Sequence, residues 1–308
     1  MIGAAMSPEP SMLLAFADEE PLARALAREL DCALAFIAEH RFPDGEIRLT
    51  LPPALPAEVV VLRGLQQPNH RLVALLLAAG TARTLGARRL ALVAPYLAYM
   101  RQDMAFAPGE AVSQRIVARF LGELFDRVVT IDPHLHRIQT LGEVMPGSRG
   151  IALGAAPLLG HWIAAQWPAG AAPLLVGPDE EAGQWVHQAA QATGLHGIVC
   201  RKTRRGDRDV TVELPDDGAA ADGVRGRAVV LIDDLASTGH TLAQAARALH
   251  ARGAASVDAA VVHALFRGDA LALLRDAGVA RVWSTDAVAH ETNVVSVAPL
   301  LAQALRQA

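Results

Sequence analysis

Two adjacent carboxylates, Asp233 and Asp234, stand directly after the apolar run Ala228 to Ile232, and a small hydroxylic turn, Ser237-Thr238-Gly239, follows with Thr241 just beyond. Hydroxyls and the backbone N–H groups at the start of a helix make a site for an anion such as phosphate. The carboxylates repel a second anion and suit a diol, a metal ion, or both. The combination describes a sugar phosphate, with its phosphate in the turn and its ribose hydroxyls on Asp233 and Asp234. An ordinary strand-to-helix turn with an aspartate cap reads the same way locally, so the decision rests on what else the chain carries.

Four further stretches bear on it. Arg41-Phe42-Pro43-Asp44-Gly45-Glu46 sets Asp44 and Glu46 at alternate positions around a glycine; a β-turn with solvated charges is the plainer reading. Arg101-Gln102-Asp103 offers a fork of donors beside an amide, suited to a nucleotide's phosphate and base edge or to an exposed loop. Asp132-Pro133-His134-Leu135-His136 places an imidazole at the end of a strand, where a ligand or metal role is favoured over a structural one. Arg201 to Arg208 holds five cations in eight residues of a chain whose net charge is −4. Alone it reads as a solvated loop or nucleic-acid patch; beside a phosphate turn, a mobile cationic loop can close over a transferring phosphoryl chain and offset its developing charge.

Positioning these groups falls to alternating strands and helices. Ala228 to Ile232 suits a strand buried on both faces of a parallel sheet, ending where the carboxylates begin, so that they lie at its ligand-bearing edge. Leu242, Ala245, Ala246 and Leu249 then follow helical spacing, with Gly253 as the cap. Upstream, strands are expected at Ser11 to Ala17, Glu58 to Arg63, Arg89 to Ala94 and Arg127 to Ile131, and a β-type region at Ala33 to Leu51. Helices are expected at Glu20 to Leu30, Arg71 to Leu85 and Glu110 to Leu124. Pro146 to Gly154, rich in Gly, Pro and Ser, reads as a junction. The pattern then restarts with a helix to about Trp167, strands at Pro173 to Gly177 and Gly197 to Arg201, and a charged insertion from Lys202 to Gly226. Strands at Val257 to His263 and Ala280 to Ser284 and a final helix from Pro299 close it. This is the alternation of a doubly wound α/β sheet. VVxID at 128 to 132 and again at 229 to 233 hints at duplication.

Composition sets the bounds. A length of 308 residues suits two α/β domains, expected at 1–150 and 151–308, with the final helix able to pack back on the first. The charge of −4 gives no general attraction to nucleic acid or to an anionic membrane, and 4% aromatic content argues against platforms for stacking bases. Cys32 and Cys200 lack metal-type spacing, the N-terminus lacks a signal pattern, and no run approaches a membrane span, so a reduced cytoplasmic protein is the reading. Cys200 beside the basic run is a buried thiol or, less readily, a reactive one.

Residues 229 to 241, VVLIDDLASTGHT, resemble the phosphoribosyl-diphosphate (PRPP) loop of phosphoribosyltransferases and PRPP synthetases. FPDGE, RQD, the DPH strand end, GPD at 177 to 179, the KTR of the basic stretch, DDLASTGHT and the tail TNVVSVAPLLAQAL occur in the order found in ribose-phosphate diphosphokinases, and the likeness spans nearly the whole chain. It implies two tandem phosphoribosyltransferase-like domains, each a mainly parallel sheet flanked by helices, and synthesis of PRPP and AMP from ATP and ribose 5-phosphate. By the same resemblance Asp44, Glu46, Arg101 and Gln102 hold ATP, His134 and Asp179 hold Mg2+, and Lys202 and Arg204 are the catalytic cations. Asp233, Asp234, Ser237, Thr238, Gly239 and Thr241 hold ribose 5-phosphate, and the protein is a homo-oligomer.

The departures are specific. His240 stands where many members carry glycine. Met104 to Glu110 replaces the basic stretch of most bacterial members and is closer to the short archaeal-type branch, which bears on regulation by phosphate and ADP. Glu180-Glu181-Ala182 replaces glycines after GPD. Two other functions fit parts of the pattern: a phosphoribosyltransferase that consumes PRPP, which leaves the N-terminal motifs unexplained, and a non-catalytic regulatory homologue, which leaves Lys202 and Arg204 without a task.

Overall fold

The computed structural model describes residues 12–135, 137–168, 170–204, 210–213 and 223–307. They form two compact units: one runs to Leu153 and resumes at Val297, and the other is Gly154–Ser296. Among the described residues, no helix is long and apolar enough to cross a membrane.

The first unit contains β1 (Met12–Phe16), α1 (Glu20–Leu30), β2 (Ala33–Arg41), β3 (Ile47–Thr50), β4 (Glu58–Leu62), α2 (Pro68–Thr84), β5 (Arg89–Ala94), α3 (Ser113–Leu124), β6 (Arg127–Ile131) and β7 (Arg149–Leu153). Its sheet runs β3-β2-β1-β4-β5-β6-β7, parallel throughout except for β3 against β2. Continuous apolar runs explain why the central strands bury both faces: Leu13, Leu14, Val60, Val61, Leu92 and Val129 are all within 2% of full burial. In α1, Leu22, Ala23, Leu26, Ala27 and Leu30 share the face turned to the core, and Asp31 ends the helix in the left-handed conformation.

The second unit contains α4 (Ala156–Ala164), β8 (Leu174–Gly177), α5 (Gly183–Thr193), β9 (Gly197–Val199), β10 (Arg201–Arg204), β11 (Val210–Glu213), β12 (Ala228–Ala236), α6 (His240–Ala251), β13 (Ser256–Ala264), α7 (Ala270–Asp276), β14 (Val279–Thr285) and β15 (Asn293–Val295). Its sheet, β15-β14-β13-β12-β8-β9, is parallel, and β10 and β11 form a separate antiparallel ribbon. The last helix, α8 (Ala298–Gln307), belongs to the first unit.

The two sheets share one winding. Setting the hairpin strand β3 aside, each orders its parallel strands second-first-third-fourth-fifth-sixth, and in each a hairpin follows the second strand. This repeat pairs β12 with β4, since each is the third strand of its unit, so the VVxID likeness between β6 and β12 joins strands that are not equivalent. The helix after the sixth strand is exchanged between units: α4 follows β7 in sequence but belongs to the second unit, whereas α8 follows β15 and belongs to the first.

Several expected boundaries shift for identifiable reasons. Residues 149–153 are the sixth strand of the first sheet rather than part of a junction, so the units part between Leu153 and Gly154. The helix expected from Glu110 starts at Ser113, because the Glu110 carboxylate turns back to accept from the Phe106 N–H at 2.7 Å. Lys202 does not open a loop: residues 201–204 are a strand, registered Lys202 to Val212 and Arg204 to Val210.

Candidate active site

An open parallel sheet binds ligands beyond the carboxyl ends of its strands, at the point where the winding reverses. In the second unit that point lies between β8 and β12. The strand carrying Asp233 and Asp234 does not stop at Ile232, as their polarity suggests; β13 is equally long and supplies partners as far as Ala236 opposite Ala264. Asp234 is 6% exposed, and its N–H donates to Asp233 Oδ1 at 2.9 Å. Asp179 follows β8, and its side chain accepts from Glu181 N at 3.2 Å, so the departing segment Glu180–Ala182 is a capped turn of 3-10 helix. Burial holds the Asp233 carboxyl well above the usual carboxylate range, and the charges of Asp234 and then Asp179 add to the effect. Asp234, on the same strand, and Asp179, beyond the neighbouring strand, thus both bear on Asp233.

The turn beside them is built for close approach. Gly239 caps α6 with φ 75°, and a Cβ there would lie 3.4 Å from the Ala270 carbonyl oxygen. Ser237 O accepts from Arg267 N at 3.1 Å, which ties the turn to the loop after β13. Thr238 is exposed, Ser237 and Thr241 are partly so, and the first N–H groups of α6, without partners inside the helix, lie at this turn. His240 is exposed at the first helical position. Cys200 is fully buried, its thiol pushed up to about 12 by burial and by Asp179 and Glu180, which removes the reactive-thiolate reading.

In the first unit, the candidate nucleotide residues also lie beyond strand ends, and both segments reach the first turn of α2: Tyr99 donates to Asn69, and His70 feels the charges of Arg41 and Glu39. β2 outruns its pairing with β1 and pairs with β3 as a hairpin, whose tip is closed by Phe42 N to Glu46 O at 2.8 Å and by Gly45 at φ 96°. Asp44 and Glu46 are exposed there, with Asp44 Oδ1 accepting from Glu46 N at 3.1 Å. Arg101 and Gln102 lie in the segment between β5 and α3. Arg101 is exposed, Gln102 donates to Met104 O at 3.0 Å, and Asp103 pairs with Arg137 at 3.5 Å. His134 is half-buried just past β6. The side chains of Lys202 and Arg204 lie outside the described residues; their backbone forms β10.

Sequence reasoning missed one charged cluster, and it sits at the first unit's own winding reversal, between β1 and β4. Asp18 bridges two guanidinium groups, Arg63 at 2.5 Å and Arg71 at 2.7 Å, while Glu19 accepts from Gly64 N at 2.5 Å and from Arg71 at 3.2 Å. Arg63 is 3% exposed and lies over the Phe16 ring. At the first unit's reversal the protein's own ion pairs take the position that the carboxylates and the small turn hold in the second. Arg63 at a strand end and Arg71 on the buried face of an apolar helix were the available signals.

Burial foremost pushes the Glu19 carboxyl up to about 7 from 4.5; Asp18 adds, and Arg63, the Gly64 N–H and Arg71 oppose. A carboxyl raised in the folded state favours folding below its ordinary value, and that contribution is lost as pH climbs through about 7, at most ~3 kcal/mol. The first unit should therefore weaken between about pH 4.5 and 7, and Glu19→Gln should flatten the profile. Hydrogen exchange of β4 and α2 against pH measures this; an unchanged slope in the variant would assign the dependence to another group.

Comparison with known proteins agrees with this arrangement. A family model described as the N-terminal domain of ribose phosphate pyrophosphokinase matches residues 11–124, and one described as phosphoribosyl transferase domain matches residues 162–299. The chain is similar to the ribose-phosphate pyrophosphokinase of Methanopyrus kandleri, at 36% identity over 295 residues covering 96% of this chain and 98% of that one. It is also similar to that of Halobacterium salinarum strain R1, at 36% over 297 residues covering 96% and 100%. The solved phosphoribosylpyrophosphate synthetase of Mycobacterium smegmatis matches with a TM-score of 0.80 at 26% identity, covering 96% of this chain and 97% of that one. Two phosphoribosyltransferase-type units in tandem, matched over nearly the full length of each relative, place this chain in the ribose-phosphate pyrophosphokinase family.

Proposed function

We propose that the chain carries out the reaction of its family by the following division of labour. The 1-hydroxyl of ribose 5-phosphate attacks the β-phosphorus of ATP, the bond between that phosphorus and the oxygen bridging to the α-phosphate breaks, and AMP leaves with that oxygen. Ser237, Thr238, Gly239 and Thr241 hold the 5-phosphate, while Asp233 and Asp234 hold the ribose hydroxyls and orient the attacking one. Asp44, Glu46, Arg101 and Gln102 hold ATP, and Lys202 and Arg204 offset the charge that develops on the departing AMP. The observation that carries the reading is the anion turn beside clustered carboxylates at the second unit's winding reversal.

Mg2+ fits this site. A cation would relieve the pressure that Asp234 and Asp179 put on the Asp233 carboxyl. Magnesium commonly takes only one or two protein ligands together with substrate phosphate oxygens. His134 and Asp179 are the residues assigned to it, and when bound it would neutralise phosphate charge.

A second copy completes the reading. On the first unit α2 exposes Val73 at 50%, Leu76 at 45% and Leu77 at 39%, with Ile116 on α3 at 61%. An apolar stripe of this kind suits a like partner. The decisive experiment follows AMP release from ATP with and without ribose 5-phosphate, and sediments the protein at assay concentration. Release that needs the sugar phosphate supports the proposal; PRPP consumption with a base, or nucleotide binding without PRPP, would replace it. Full activity in a sedimenting monomer would remove the second copy.

A further inference from the structure

The segment from β5 to α3 carries Arg101 and Gln102, and its backbone is not in a relaxed conformation. Tyr99 has φ 68°, a left-handed value that a bulky side chain seldom adopts and that persists only where surrounding contacts fix it. Three contacts do so. The Tyr99 hydroxyl donates to Asn69 Oδ1 in the first turn of α2. Gln114, only 1% exposed, donates its side-chain amide to Met100 O at 3.1 Å and its backbone N–H to Gln102 O at 3.2 Å. Met100 itself is 2% exposed and anchored in the core. Reversal at Tyr99 thus leaves Arg101 exposed between two carbonyls that are both held by Gln114.

Core packing alone does not call for a buried amide at Gln114, since an apolar side chain would fill the space without needing partners. We propose that Tyr99 and Gln114 are positioning residues for the nucleotide: they fix the backbone of residues 100–102, so that Arg101 and Gln102 are in place before ATP arrives. This rests on the assignment of those two residues to ATP. Ordering a loop in advance removes an entropy cost from binding, so its loss should fall on the affinity for one substrate.

The test is steady-state kinetics on the full chain. Tyr99→Phe removes one hydroxyl and should raise KM for ATP about threefold to tenfold, the effect of one neutral hydrogen bond, with kcat and KM for ribose 5-phosphate within about twofold. Gln114→Leu should raise KM for ATP further and speed hydrogen exchange across 98–104. Asn69→Ala should match Tyr99→Phe, and the double variant should add nothing, because both remove the same bond. Equal changes in both substrates' KM, or additive Asn69 and Tyr99 effects, would overturn positioning. Arg101→Ala separates the layers. A raised KM for ATP there, with Tyr99→Phe and Gln114→Leu at wild-type values, overturns the positioning claim alone, whereas an unchanged KM at Arg101→Ala overturns the ATP assignment and this inference together.

Discussion

Replacing Lys202 or Arg204 by alanine should cut turnover by about 100-fold or more in each case, because a cation aimed at developing phosphoryl charge acts in the transition state and only weakly before it. The chain has no Walker-type glycine cradle, so in the proposed reaction side chains and metal would hold the triphosphate and stabilise the departing AMP. The basic stretch is a strand of a two-stranded ribbon, with Arg201 opposite Glu213 and Arg204 opposite Val210. Among the described residues the ribbon is a two-stranded sheet of its own, paired with neither larger sheet. Binding of ribose 5-phosphate without nucleotide should survive both substitutions, since the turn at 237–241 and the two aspartates belong to β12 and α6. All four tryptophans, Trp162, Trp167, Trp185 and Trp283, lie in the second unit, so an unchanged fluorescence melt would show that folding is intact. Near-normal turnover in the double variant would remove the ribbon from the mechanism.

The parts of this arrangement that the sequence disclosed are those set by local pattern. The apolar run before Asp233, the helical spacing after Gly239 and the FPDGE turn each reflect periodicity or turn chemistry within a dozen residues. What stayed hidden depends on partners far along the chain. The strand through Asp233 and Asp234 continues because β13 runs beside it. β7 and β15 are short strands at a sheet's edge, with half-exposed residues that blur their alternation. The cluster of Asp18, Glu19, Arg63 and Arg71 joins positions 45 to 53 residues apart, which no window of local sequence relates. The repeat itself is visible only in strand order. It shows one device used twice, a hairpin after the second strand with acidic residues at its tip in the first unit and cations along its first strand in the second.

The exchanged helices lead to the other large effect. Cutting the chain before Val297 should unfold the first unit while leaving the second folded. Val297 just before α8, and Leu301 and Ala302 within it, are completely buried, with Ala298 at 1% and Leu305 at 2%, and α8 packs on α1, β6 and β7. Two buried leucines and their smaller neighbours are worth roughly 5–8 kcal/mol, comparable to the roughly 5–15 kcal/mol that hold a domain together. The cut also strips Arg127 of the Leu305 carbonyl it reaches at 2.9 Å and leaves the apolar face of α1 in water. A gentler pair of variants makes the reasoning reciprocal. Leu301→Ala should cost about 2–5 kcal/mol, read by hydrogen exchange in the first unit, with the tryptophan melt hardly displaced. Leu159→Ala in α4, equally buried, should do the opposite, because that helix closes the second unit through the contact of Gly160 with Ala189. If Leu301→Ala instead moved the tryptophan melt and left first-unit exchange alone, the assignment of α8 to the first unit, and with it the exchange of helices between the two halves, would be wrong.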